Sequence, residues 1–502
     1  MATNTNQAVK LGVFTLVIMN ITAVVSLKGL PEEAVYGLSS AFYYLLAALV
    51  FLIPTSLIAA ELAAMFQDKP GGVFRWVGEA FGKHFGLMAI WLQWTQSIFW
   101  YLTTLIFGAV AIAFIGHNSG FDAVLSDNKY YTFLIVVVMF WIATFIAMKG
   151  MGWTSRISKI GGLIGTVVPS VLLVVLAVMY LTSGGQSQMD FHTNFIPDLS
   201  NFNNFVLAVG IFSFYAGMEM NSIHITEMSN PAKNYPKAIF ISALITVVVF
   251  ILGTFALGII IPQKDISLTQ SLLVGFDNYF AYIKASWMSP IIAGALAIGV
   301  FAAVLVWVSG PSRGLYIVGK AGYLPHFFQR TNSNGIQKNI LIVQAIIVSV
   351  LSLFFIISPS IDTIYQIFTQ IAIILYQIMY MFMFAAAIIL RYTMKDANRP
   401  FRIGKKGNLL IWIVGGLGFI GSTLAFIICF IPPAQINIGS IVGWYAIIII
   451  TCMLFVITPF VIYTFKKKSW TDKNEGIAPF HWETKTKLLK LFRDELKQDQ
   501  RK

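Results

Sequence analysis

The sequence predicts an all-α polytopic membrane protein of about twelve transmembrane helices, and three observations lead there. Of its 502 residues, 57% are apolar and only 11% charged, where a soluble chain carries roughly 25% charged residues. Apolar runs of about 18 residues or more recur along the whole length, each long enough to cross a hydrocarbon core. The bilayer supplies no hydrogen-bond partners, so such runs are helices or closed barrel strands. Barrel strands are about ten residues of strict alternation. These runs are about twice as long and uniformly apolar, which selects helices.

The expected spans are Leu11–Gly29, Ser39–Phe66, Phe85–Ile115, Tyr131–Met148, Ile160–Leu181, Phe202–Ile225, Ala238–Ile261, Trp287–Val308, Ile340–Ile357, Ile364–Leu390, Leu409–Phe430 and Ile441–Tyr463. The first closes at Lys28, followed by Gly29 and Pro31. It is broken rather than clean, because Val24-Val25-Ser26 is poor in helix formers: valine is β-branched and serine competes for backbone hydrogen bonds. The third is long enough to tilt strongly or to begin outside the core. The sixth carries Gly217, a plausible point of unwinding. Unwound segments inside a membrane bare carbonyls and amides that a zwitterion can use.

Charge orients the bundle. With the N-terminus in the cytoplasm, all but four of the 34 lysines and arginines fall on the cytoplasmic side, the exceptions being Lys28, Lys129, Lys264 and Lys284. The net charge of +13 is therefore topology facing the anionic inner leaflet, not a nucleic-acid patch. Residues 1–10 form a short cytoplasmic N-terminus and residues 464–502 a basic cytoplasmic tail. Within the tail, Leu488, Leu489, Phe492 and Leu496 recur at helical spacing among basic residues between Lys485 and Lys497. An amphipathic helix resting on the membrane surface is expected there, and a cap over the cytoplasmic mouth is the alternative.

Ionisable groups in a membrane core are functional candidates. Glu219 lies mid-span in Ser213-Phe214-Tyr215-Ala216-Gly217-Met218-Glu219 and is read as a gating or proton-linked carboxyl, a structural carboxylate being the alternative. Lys28 either snorkels to the outer surface or faces an outer vestibule and attracts a carboxylate. Gln93, Trp94 and Gln96 mark the third span, and Tyr365, Gln366, Gln370, Tyr376 and Gln377 the tenth. Most such residues are interhelical glue. Cys429 and Cys452 read as buried small hydrophobes. The histidines lack metal spacing, so no metal and no cofactor are expected. No phosphate-binding glycine loop, catalytic triad or paired acid–base motif occurs, which disfavours a pump driven by ATP or a membrane enzyme.

Three motifs then carry a resemblance. Pro70-Gly71-Gly72-Val73-Phe74-Arg75-Trp76-Val77 resembles a loop signature of the amino acid–polyamine–organocation transporters. His224-Ile225-Thr226-Glu227-Met228-Ser229-Asn230-Pro231, followed by Asn234-Tyr235-Pro236, resembles the end of the sixth helix in their glutamate/GABA antiporter branch. Ser309-Gly310-Pro311-Ser312-Arg313-Gly314 is similar to the same branch. The resemblance spans roughly residues 10 to 465 and implies a LeuT-type fold. Two five-helix repeats of opposite topology, residues 11–181 and 202–390, would be followed by two further helices over 409–463.

The resemblance also implies roles. Backbone amides of Thr22, Ala23, Val24, Val25 and Ser26 would hold a substrate carboxylate. Carbonyls from Ser213 through Tyr215 and Ala216 to Gly217 would hold its amino group. Gln96, Ala303, Leu305 and Trp307 would face the substrate side chain, and Glu219 would match an acidic residue proposed to sense protons or gate. Two departures stand out: Val24-Val25-Ser26 replaces a glycine-rich turn, and Ala303 replaces a glutamate of the acid-resistance exchangers. The implied function is exchange of an amino acid for its decarboxylated amine or for another amino acid, in the cell membrane. Proton-coupled uptake and a non-transporting nutrient sensor are the alternatives. The expected partners are the small-molecule substrate and the bilayer, with a homodimer left open.

Overall fold

The computed structural model describes residues 12–69, 71–192, 194–198, 200, 205–220, 222, 228–404, 407–433, 440–471 and 478–484. Among them, eleven helices are long and apolar enough to cross a membrane: Val13–Ala34, Ser39–Met65, Lys83–Gly116, Lys129–Met148, Met151–Thr182, Pro231–Ile260, Ser286–Lys320, Lys338–Ile357, Ile361–Thr393, Leu409–Ile428 and Ile441–Thr464. The described residues form no β-strand, only an isolated bridge between Ala321 and Thr471. The expected span Phe202–Ile225 is not among the eleven, because its described part is a six-residue helix, Gly210–Tyr215, that then unwinds. Residues 224–227 of the second resemblance motif lie outside the described residues. Below, spans keep their expected order, so the broken segment is the sixth.

The third span is the axis. In its most apolar window 89% of the residues are buried, against 17% for the twelfth. It packs chiefly against the eighth and tenth spans and also touches the twelfth. Short helices at Val73–Phe81, Ser119–Ser126 and Ser271–Tyr282 lie between spans.

Proline governs several details. A proline in a helix strips one N–H from the ladder and frees the carbonyl four residues earlier, and in a membrane that carbonyl still needs a partner. Pro311 was expected to lie beyond the eighth span. Instead the helix runs through it to Lys320, and the carbonyl it frees, that of Trp307, accepts the Tyr101 hydroxyl at 2.8 Å. Pro459 frees the Phe455 carbonyl, which accepts Trp91 Nε1–H at 2.9 Å. Pro54 and Pro169 each follow a wide π-type turn, Ala48–Leu52 and Leu163–Val167. There the carbonyls of Val50 and Gly165 lie against Gly421 and Gly299, where no side chain could fit. Pro31 likewise does not end the first span. It sits in the first turn of a further helical piece, Leu30–Ala34, where its missing N–H costs nothing.

Part of the tail is docked on the bundle. Residues 485–497, read as a surface helix, lie outside the described residues, but residues 478–484 dock on the helix Val73–Phe81. Arg75 donates to the Ala478 carbonyl at 2.5 Å, Glu79 accepts the His481 N–H at 2.7 Å, and Trp482 Nε1–H reaches the Gly78 carbonyl at 3.0 Å. Phe480 is 3% exposed, with the Arg75 guanidinium 4.7 Å from its ring centre. Beside this joint Lys466 lies over the Tyr323 ring at 3.8 Å, and burial pulls its ammonium below the ordinary lysine range.

Candidate functional site

Two helix breaks face each other at the centre of the bundle. The helix Val13–Val24 stops because Val25 (φ −73°, ψ 102°) and Ser26 (φ −118°, ψ 108°) are extended. The chain resumes as a tight turn, Leu27–Gly29, leading into Leu30–Ala34. The helix Gly210–Tyr215 stops at Ala216, which is extended (φ −76°, ψ 155°). Gly217 then adopts φ +103°, a region that favours glycine because it has no Cβ. A Cβ placed on Gly217 would lie 3.7 Å from Val24 Cγ2, and one on Gly29 would enter the Phe214 ring. The breaks therefore pack directly, glycine against side chain, and the interrupted ladders leave peptide groups for a ligand.

The structure places the predicted site residues unevenly. Val24, Ala216, Gly217 and Trp307 come together: the Cβ position of Gly217 is 2.8 Å from Trp307 Cζ2. Trp307 stacks on Trp100 with centroids 4.9 Å apart and meets Tyr376 edge-on at 6.1 Å. Ala303 is one helical turn from Trp307 and shares its face, while Leu305, two residues away, points to another. Thr22 gives its hydroxyl to the Ile18 carbonyl at 2.7 Å and packs on Gly162 of the fifth span. Ala23 is in the last turn of the first helix, its side chain outside the described set. The Ser213 carbonyl accepts the Ala216 N–H at 3.3 Å. Tyr215 turns to the second span and donates to the Tyr44 carbonyl at 3.3 Å. Gln96 donates to the Gln93 carbonyl within its own helix at 3.3 Å.

Glu219 lies two residues beyond the break and is fully buried. Three donors converge on it: Tyr376 and Gln93 on Oε1 at 2.5 and 3.0 Å, and Tyr380 on Oε2 at 2.6 Å. Tyr380 also accepts the Gly217 N–H at 2.8 Å. One hydroxyl thus ties the carboxylate to the unwound backbone.

Lys28 does not snorkel. It is 4% exposed, donates to Thr103 Oγ1 at 2.6 Å, and sits 5.6 and 5.5 Å from the ring centres of Trp100 and Tyr365. One turn on, Glu32 Oε1 accepts the Tyr365 hydroxyl at 2.6 Å. Glu32 and its fully buried neighbour Glu33 escaped sequence reasoning because they follow Pro31. The Lys28–Glu32 spacing of one helical turn was the available signal. Tyr380 was also missed, though it lies one turn beyond Tyr376 on the same face.

A membrane bundle with two broken helices meeting at its centre is the architecture of a secondary transporter. The model of the amino acid permease family matches residues 11–474, and the chain belongs to that family. An uncharacterized transporter of Legionella pneumophila subsp. pneumophila is 36% identical over 458 residues, covering 91% of this chain and 97% of that one. A glutamate/gamma-aminobutyrate antiporter of Lactococcus lactis subsp. lactis is 28% identical, covering 95% of this chain and 94% of its own. Among solved structures, MhsT in complex with L-phenylalanine superposes with a TM-score of 0.60 at 16% identity, covering 83% of this chain and 98% of that one. The chain thus has the LeuT-type fold expected from its motifs, and its family and fold are those of transporters rather than enzymes.

Proposed function

We propose that this protein exchanges a cytoplasmic and an external amino compound by alternating access, with glutamate and γ-aminobutyrate the best candidate pair. The observation that carries the reading is the direct packing of the two breaks at Val24 and Gly217, in a chain similar over nearly its whole length to a glutamate/gamma-aminobutyrate antiporter. The carboxylate binds the backbone around Val24–Ser26 and the amino group the carbonyls around Ser213–Gly217. Ala303 and Trp307 bound the side chain, and Gln96 and Leu305 stand behind them. Residues 11–181 and 202–390 act as the two repeats. The protein sits in the cell membrane with both termini cytoplasmic, as the basic residues dictate. In proteoliposomes preloaded with γ-aminobutyrate, labelled glutamate should accumulate. Uptake that needs a proton gradient and no internal substrate would replace exchange with proton-coupled uptake, and binding without any flux would mark a sensor.

A further inference from the structure

At the end of the bundle where the fourth and fifth spans join, a separate cavity of about 190 Å³ is lined by Thr154, Ser309, Arg313, Asn334 and Gln337. That is room for more than one water, whose share of liquid volume is about 30 Å³. No carboxylate lines it. Its wall is a closed turn. The Ile336 N–H bonds Asn332 Oδ1 at 3.0 Å, the Asn332 N–H bonds the Ile336 carbonyl at 2.9 Å, and Asn332 Nδ2 is fixed to the Met148 carbonyl at 2.7 Å.

Three polar groups of this cavity are unspent. The Arg313 guanidinium lies 5.4 Å from the Tyr316 ring centre and makes no ion pair among the described residues. Gln337 is 2% exposed. Its Nε2 donates to Ser312 Oγ at 2.9 Å, while the Ser312 hydroxyl gives its own proton to the Val308 carbonyl. That chain fixes the amide and leaves Oε1, a buried acceptor, with no donor. Thr154, 3% exposed, has a hydroxyl without a partner. Buried polar groups are rarely left unsatisfied. A guanidinium fork beside a free carbonyl and a hydroxyl calls for a ligand that carries both an anion and N–H donors.

We propose that this cavity is a second binding site, distinct from the central one, for a free amino acid, with its carboxylate on Arg313 and its ammonium on Gln337 Oε1 and Thr154 Oγ1. The Ser309–Gly314 segment and the 332–337 turn exist, on this reading, to load or sense substrate at one face of the carrier. The test is equilibrium binding of L-[³H]glutamate to the purified full-length protein in lipid-free detergent, with labelling of Asn334→Cys by a water-soluble maleimide. Cys429 and Cys452, the two natural cysteines, are buried.

Wild type should bind two glutamates per chain, and glutamate should slow the labelling of Asn334→Cys at least about fivefold. Arg313→Gln should bind one and lose the protection. Thr154→Val, which removes a hydroxyl with no structural partner, should fold normally and weaken protection about fivefold, so a failure of Arg313→Gln to fold leaves the test intact. One glutamate per chain in both wild type and Arg313→Gln overturns the proposal, as does equal protection in both. Protection seen only in phosphatidylethanolamine nanodiscs overturns it too, giving the cavity to a lipid headgroup. Exchange of glutamate for γ-aminobutyrate is scored separately, so an intact exchanger with one site refutes this site alone. Two sites without flux refute the exchange reading alone.

Discussion

Trp307 lies directly over the left-handed turn at Gly217, so close that a single methyl group on Gly217 would come within 2.8 Å of its indole. Gly217→Ala therefore meets two penalties, a steric contact and a backbone at φ +103° that costs a non-glycine residue about 1–3 kcal/mol. The expected outcome is a protein that still inserts and purifies but exchanges substrate at least tenfold more slowly. Counterflow rate against thermal melting of the detergent-solubilised protein checks it. Wild-type flux in Gly217→Ala would mean that the turn relaxes freely.

Lys28 and Glu32 are buried one turn apart, and Tyr365 touches both, by its ring and by its hydroxyl. The two make no direct ion pair, but opposite buried charges one turn apart attract through a low-dielectric interior, so removing one leaves the other less compensated. Lys28→Met should lower the melting temperature sharply. Lys28→Met combined with Glu32→Gln should recover part of the loss, a coupling that a double-mutant cycle isolates. Strictly additive losses would show that the two side chains act independently.

Glu219 accepts from Tyr376, Gln93 and Tyr380, and Tyr380 holds the Gly217 N–H in turn. An amide has only one acceptor oxygen, so Glu219→Gln forces at least one of these donors to rotate. Substrate affinity should change by less than about threefold, since on the proposed binding mode backbone groups hold the zwitterion. On the gating reading of Glu219 the pH dependence of exchange should flatten, because a residue that cannot change charge cannot bias the break. Glu219→Ala should do worse, leaving three buried donors unpaired. An unaltered pH profile in well-folded Glu219→Gln would make the carboxylate purely structural.

Phe480 anchors the described part of the tail between Arg75, Phe74 and Trp482. Burying a phenylalanine contributes about 1.5–3 kcal/mol, enough to hold a short segment and too little to hold it without that ring. Phe480→Ala should release residues 478–484 to added protease at a concentration that leaves wild type intact, with the transmembrane core unchanged by melting. Equal protease resistance would place the docking energy in the Arg75 and Glu79 hydrogen bonds instead.

Much of the fold was legible in the sequence, because a membrane span announces itself by length and apolarity. The two breaks were legible for local reasons: Gly217 is a glycine inside an apolar helix, and Val24-Val25-Ser26 is a weak helical stretch. What failed depended on distant partners. Pro311 looked like a helix end because nothing near it in sequence reveals Tyr101, which takes up the carbonyl it frees. Lys28 looked free to reach the surface because Pro31 disguised Leu30–Ala34 as a loop and hid Glu32. The donors around Glu219 came from the third and tenth spans. Gln93 and Tyr376 had been noticed as polar marks, but no spacing rule pairs them with a carboxyl more than a hundred residues away.

The carbonyls that Pro311 and Pro459 release inside this bundle bear on how such a sequence can drift. Those of Trp307 and Phe455 accept from Tyr101 and Trp91 of one helix, whereas the carbonyls of Val50 and Gly165, in the wide turns before Pro54 and Pro169, lie against Gly421 and Gly299. A proline here is half of a two-residue agreement. Losing Tyr101 while keeping Pro311 strands an acceptor in hydrocarbon, and losing Trp91 while keeping Pro459 does the same. Substitutions at these positions should therefore travel in pairs among related transporters, Pro311 with Tyr101 and Pro459 with Trp91, even though each pair is separated by more than a hundred residues of chain.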